Sequence, residues 1–286
     1  MKRFAFALAL ALCLSISMAA LADWGQDPVC FGNLPLYAAY DDGDHLKISI
    51  AMVDNSPKLV YYVCDIQVKS PDVLTTAFYN PKNIKKTGLM EKIAEANQAV
   101  LAINCDFCGD HDSGVIIRNG TLYRAEKTYK LDMLIIDESG DFHLHAGSRK
   151  KDDVKALANE LTAQNVWQTI EFGPALVENG EALPFTTKAD NNNTYVISTR
   201  SSQLEPRTGI GQIGPLHYVV IVAEGRRDGY SEGLSLQGFQ QLFVQYGAQT
   251  AINLDGGGST KLYFYNGVIN RPSSPSRQVS DALIFK

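Results

Sequence analysis

Gly114-Val115-Ile116-Ile117-Arg118-Asn119-Gly120 sets the architecture. An apolar run that stops at Asn-Gly is the strongest short-range signal for an antiparallel hairpin. A two-residue type I′ turn needs positive φ at both central positions, and Asn and Gly tolerate it best. The same pair recurs at Asn179-Gly180 and Asn266-Gly267. Glu138-Ser139-Gly140-Asp141, between Leu131–Ile136 and Phe142–His145, predicts a fourth hairpin. Leu46–Val53, Leu59–Val68, Leu216–Ala223 and Thr250–Leu254 are β-branched or apolar runs and read as strands. Ala99–Ile103 reads as a buried strand after a short helix over Gly88–Asn97.

Two further helices are legible. Val154, Leu157, Ala158 and Leu161 have the i, i+3, i+4, i+7 spacing of one apolar face within Asp152–Gln164. Leu236, Phe239, Leu242, Phe243 and Tyr246 make another, with Gly247 as its C-cap. Many hairpins with two or three helices predict an α+β fold with a mixed, largely antiparallel sheet. No repeat, linker or composition break follows residue 23, so residues 23–286 read as a single domain.

The first 22 residues read as a secretory signal. Met1-Lys2-Arg3 is basic, Phe4–Ala11 opens an apolar run, and Ala20-Leu21-Ala22 offers small residues for cleavage. Leu12 before Cys13 argues against a lipoprotein anchor. Removal leaves 264 residues and changes the net charge from −5 to −7. No later stretch is long and apolar enough to span a membrane. The acidic balance, without a Lys/Arg run, excludes a nucleic-acid partner. The expected location is secreted or extracytoplasmic. Cys30, Cys64, Cys105 and Cys108 remain after cleavage, and an even number in an exported chain predicts disulfides, with Cys30–Cys64 and Cys105–Cys108 as the expected pairing.

Three segments carry chemistry. Asn253-Leu254-Asp255-Gly256-Gly257-Gly258-Ser259-Thr260 runs a strand into an acid, three glycines and two hydroxyls. Such a loop lets backbone N–H groups approach an anion, with Asp255 held at the strand end. It lacks the Gly-Lys-Ser/Thr of a Walker A loop. Asn104-Cys105-Asp106-Phe107-Cys108-Gly109-Asp110-His111-Asp112 follows the buried strand. It reads as a redox pair, as a metal site, or as a structural disulfide framing a polar loop in which Asn104 and Asp106 point to one side. The third reading fits best, and no metal is assigned. The third segment is basic: Arg207 opens one strand, and Glu224-Gly225-Arg226-Arg227 closes the next, with Arg277 similar near the end. Arginine binds phosphate and carboxylate bidentately, which points to an anionic substrate. His143 and His145 read as surface residues. Asn119-Gly120-Thr121 and Asn192-Asn193-Thr194 match the N-glycosylation pattern.

Together these segments resemble the phosphodiester glycosidase family. The matching residues are Leu101–Phe107, Gly114–Gly120, Phe172-Gly173-Pro174-Ala175-Leu176, Pro206-Arg207-Thr208, Glu232-Gly233-Leu234-Ser235-Leu236, Asn253–Thr260 and Val279-Ser280-Asp281. They cover about residues 45–286. Cys105 and Cys108 stand where relatives carry a glycine and an aromatic residue. The resemblance implies hydrolysis of a sugar-1-phosphodiester at its glycosidic C–O bond, with a small-molecule or glycan phosphodiester as partner and no cofactor. Asp255 and Asp106, then Glu224 and Glu232, are the catalytic carboxylate candidates. Arg207 and Arg226 with the N–H groups of Gly256, Gly257 and Gly258 would receive the phosphate. Asn104 and Ser259 would hold sugar hydroxyls. Two other functions fit the same residues: a non-catalytic binder of cell-envelope glycans, and a thiol-disulfide protein using Cys105 and Cys108.

Overall fold

A computed structural model describes residues 31, 34–127, 131–147, 154–184 and 202–286. The expected signal segment, Cys30 and the Asn192 sequon lie outside them. In chain order the strands are β1 (Leu36–Asp41), β2 (Leu46–Asn55), β3 (Leu59–Val68), β4 (Leu74–Phe78), β5 (Leu101–Asn104), β6 (Gly114–Arg118), β7 (Thr121–Glu126), β8 (Asp132–Ile136) and β9 (Phe142–His145). They continue with β10 (Gln168–Phe172), β11 (Ala175–Glu178), β12 (Glu181–Ala182), β13 (Arg207–Gly214), β14 (His217–Ala223), β15 (Thr250–Asn253), β16 (Leu262–Phe264), β17 (Gly267–Val268) and β18 (Asp281–Phe285). The helices are α1 (Met90–Ala96), α2 (Val154–Ala163) and α3 (Leu236–Gln245).

Eight strands form one antiparallel sheet in the order β1-β2-β3-β14-β13-β15-β11-β12. A five-stranded sheet, β17-β16-β5-β18-β4, and a three-stranded sheet, β10-β8-β9, face it. Alternation along β3 and β14 explains the layering. Tyr62, Cys64, Ile66, Tyr218, Val220 and Val222 enter the core between the sheets, with Leu101, Ile103, Leu283 and Phe285 opposite. Tyr61, Val63, Val219 and Ile221 point the other way, against Leu236, Phe239 and Phe243 of α3. Helix α1 covers the back of the five-stranded sheet, and α2 covers β6 and β8. The result is an α+β domain of largely antiparallel sheets with three helices.

The hairpins at Asn119-Gly120 and Asn179-Gly180 form, with φ of 49° and 72° in the first and 54° and 78° in the second. The β8–β9 hairpin forms too, with the Asp137 carboxylate accepting the Ser139 and Asp141 N–H groups. The β16–β17 turn sits one residue earlier than expected. Positive φ falls on Tyr265, and Gly267 is already in the strand. Pairing of β16 with β5, and the Tyr265 N–H donated to Val100 O, set that register. Ser235 caps α3, its side chain accepting the Gly238 N–H.

Candidate functional site

Strand β5 in the smaller sheet and β15 in the larger sheet end side by side at one rim of the sandwich. Asn104 stitches them together. Its Nδ2 donates to Asp255 O at 2.5 Å, and its Oδ1 accepts from Thr208 Oγ1 at 3.0 Å and from Lys261 N at 3.1 Å. The Asp255 N–H donates to Cys105 O at 3.1 Å. Asn104 is fully buried with both ends of its amide occupied. It therefore holds the two loops in place from a position closed to solvent.

Asp255 heads the glycine loop, partly exposed. Its Oδ1 accepts the Gly256 N–H at 2.9 Å, and Ser259 also hydrogen-bonds the carboxylate. Burial pushes its carboxyl above the ordinary aspartate value, against the pull of Ser259, Gly256 and Arg277. The loop turns tightly because Gly257 adopts φ 58° and because a Cβ on Gly256 would stand 2.8 Å from Pro206 O. Two arginines flank it. The Arg226 guanidinium lies 3.1 Å from where a Gly257 Cβ would be, with its Nε bonded to Glu205. Arg277 approaches from the other side, its Nε 3.4 Å from Ser259 Oγ. Arg207 stands behind this pair. Its Nε donates to Leu234 O at 3.0 Å and its Nη2 to Gln203 O at 3.1 Å, so its guanidinium turns to these carbonyls. Burial holds that guanidinium below its ordinary value.

Asp106 lies near enough to add its charge to the Asp255 carboxyl. Asp106 is 3% exposed and committed. Its Oδ1 accepts the Cys108 N–H at 2.8 Å, and its Oδ2 accepts from Arg118 at 2.9 Å and from Glu171 N at 3.2 Å. Arg118 Nη2 reaches Asp281 Oδ2 as well, also at 2.9 Å. Although burial pulls it down, Asp106 and Asp281 hold the Arg118 guanidinium well above its ordinary range. Burial, then Asp106, pushes the Asp281 carboxyl up. Glu171 completes the knot, and burial raises its carboxyl to about 7. Donor atoms of Cys105, Asp106 and Asp281 lie within 4.8 Å of one another, the spacing of a metal site. Arg118, bonded to both carboxylates, already serves as the cation there. Arg118 and Asp281 lie within the family-like segments without an expected role, and Glu171 lies just before one. Nothing local marks them, because the Arg118 partners are 12 and 163 positions away.

Glu224 is buried near Arg271, whose N–H it accepts at 2.5 Å, and near the Tyr230 hydroxyl. Burial raises its carboxyl. Glu232 is exposed, and its backbone N–H donates to Lys58 O. The structure thus brings Asp255, Gly256–Ser259, Arg226 and Arg277 together; Asp106 lies near enough to raise the Asp255 carboxyl, Glu232 O accepts the Arg226 N–H at 3.3 Å, and the Glu224 carboxylate turns to Arg271.

The expected Cys105–Cys108 disulfide is not formed, and the expected Cys30–Cys64 pairing falls on Cys30, outside the described residues. Cys64, Cys105 and Cys108 are free, buried thiols. Cys105 turns toward Asp281 at the end of β5, and Cys108 Sγ faces Ser280 Oγ at 3.7 Å among Phe78, Ile84 and Ile116. Burial raises both thiols far above the ordinary range, which leaves neither the thiolate that a redox protein requires. His111 likewise does not join the cysteines: the ligand-spaced group among the described residues is Cys105, Asp106 and Asp281, and Arg124 and Ser113 bond the His111 Nδ1. His143 is exposed and pairs with Asp137, while His145 is half-buried.

Known proteins share this fold. The catalytic domain of zebrafish N-acetylglucosamine-1-phosphodiester alpha-N-acetylglucosaminidase, auto-inhibited by its pro-peptide, is 17% identical. It aligns at a TM-score of 0.66 over 90% of this chain and 92% of its own. A hypothetical protein from Synechocystis is 15% identical, at a TM-score of 0.58 over 87% of this chain and 63% of its own. The chain therefore spans less than two thirds of the Synechocystis protein. These likenesses establish the fold. No curated protein matches the sequence. The model of the phosphodiester glycosidase family matches residues 97–286, which hold β5, the buried arginine knot, the glycine loop and both flanking arginines. This chain belongs to the phosphodiester glycosidase family.

Proposed function

We propose that the protein is an exported hydrolase of sugar-1-phosphodiesters, on a small molecule or a cell-envelope glycan. One observation carries the reading: a partly exposed carboxylate, Asp255, heads a glycine loop flanked by two guanidiniums, in a member of this family. The anomeric C–O bond breaks and its electron pair leaves on the phosphate oxygen. Water supplies the hydroxyl to the sugar, and its proton passes to the medium. A departing phosphomonoester has a second pKa of about 6, so it needs charge neutralisation more than protonation. Arg226 and Arg277 supply that neutralisation, with the Gly258 N–H between them. Asp255 stabilises the positive charge that develops at the anomeric carbon. Arg207 and Glu205 support Arg226 from behind.

Turnover is tested with UDP-N-acetylglucosamine and a panel of sugar-1-phosphodiesters. Asp255→Asn is expected to lower kcat by about 100-fold or more with folding intact. Wild-type protein that binds these compounds without hydrolysing them would instead identify a glycan-binding protein on the same scaffold.

A further inference from the structure

Lys261 follows the two hydroxyl residues of the glycine loop and is fully buried. A buried ammonium is costly unless every proton finds an acceptor. Lys261 meets that demand. Its Nζ lies 3.3 and 3.2 Å from the two carboxylate oxygens of Glu91 on α1, and 2.9 Å from Pro275 O. Three acceptors match its three protons.

Pro275 belongs to the segment Arg271–Gln278, which lies on the glycine loop without regular secondary structure. Ser274 Cβ stands 3.2 Å from where a Gly258 Cβ would be. One turn, the Arg277 N–H donated to Ser274 O, is the backbone bond described within it. Side chains hold the rest. Glu224 takes the Arg271 N–H, and Arg227 reaches Arg271 O and Pro272 O. Ser273 Oγ donates to Gly257 O at 3.4 Å. Near the far end Lys261 holds Pro275 O, two residues from Arg277, and Thr87 Oγ1 donates to Gln278 Oε1 at 3.0 Å.

We infer that Lys261 is a positioning residue: by tying Pro275 to Glu91 it fixes the Arg271–Gln278 strap over the glycine loop and sets where Arg277 meets an anionic sugar phosphate. The inference rests on the proposed placing of the phosphate between Arg226 and Arg277. Lys261 touches no substrate in this account. It acts through Arg277, so its effect and that of Arg277 are not independent.

The test is a cycle read as affinity for N-acetylglucosamine 1-phosphate by calorimetry. The paired replacement Lys261→Met with Glu91→Leu removes the latch without leaving a buried charge alone. Losing one charge-assisted contact predicts affinity about 10-fold weaker in this variant, and about 10-fold or more weaker in Arg277→Gln. Combining all three changes should weaken binding no further than Arg277→Gln alone, with thermal midpoints showing each variant folded. Factors that multiply, or wild-type affinity in the folded latch variant, would overturn the inference. So would wild-type protein that does not bind the probe. If the paired variant does not fold, Glu91→Gln runs the same cycle. Binding without turnover sinks the proposed hydrolysis and leaves the positioning role standing.

Discussion

Glu171 shows what a single residue contributes when burial outweighs solvation. Its Oε1 accepts the Val115 N–H at 2.7 Å, while Asp106, Arg118 and Arg124 lie near. Burial moves its carboxyl from 4.5 to about 7. A carboxyl raised on folding binds its proton more tightly in the native state. Its stabilising contribution is complete below pH 4.5 and disappears as pH rises through about 7. Native stability is therefore expected to fall between these limits, with Glu171 accounting for at most about 3 kcal/mol. Glu171→Gln should flatten that slope in denaturant titrations at pH 5, 6, 7 and 8. An unchanged slope would show that the proton is not held there.

At the scale of elements, the glycine loop depends on close backbone approach. The Gly257 N–H donates to Pro206 O at 2.8 Å, and the same oxygen faces the Cα of Gly256. A methyl group added at Gly256 must push against the backbone of Pro206 at the mouth of β13, where no flexible side chain can give way. Gly256→Ala is expected to destabilise the fold by about 1–3 kcal/mol and to lower turnover with it. Thermal melts and kcat/KM are the readouts, and a variant with wild-type values in both would show that the loop tolerates the shift. Glu224 teaches a related lesson. Its carboxylate anchors the Arg271–Gln278 strap by accepting a backbone N–H.

At the scale of the whole molecule, the sheets bury the thiols. Cys64 lies in the central core, and Cys105 and Cys108 are sealed beside the Arg118 knot. Iodoacetamide should leave all three unmodified in the native protein and alkylate them once it unfolds, as read by peptide mass spectrometry. Native-state alkylation, or a Cys105–Cys108 disulfide in unreduced peptides, would contradict this packing. Among the described residues no helix is long and apolar enough to cross a membrane.

Local signals were legible in the sequence because local forces produce them. Asn119-Gly120 and Asn179-Gly180 turn where two adjacent residues favour positive φ, and α3 stops before Gly247, which takes positive φ. Asp255-Gly256-Gly257-Gly258 stands out in the sequence because three glycines weaken any regular element and let the backbone turn and approach closely. Strands β10 and β18 escaped notice, since nearly every residue of each is buried and neither shows alternation of its own. The division of labour among charges was also hidden. Asp106 and Asp255 look alike in sequence, as acids that follow apolar strands. Only the tertiary structure brings Arg118 and Asp281 onto Asp106, and Arg226 and Arg277 beside Asp255. Sequence by itself determined the hairpins, the helices and the glycine loop. The packing of β5 against β15 decided which carboxylate is consumed in structure and which stays partly open, because burial and long-range partners set that difference.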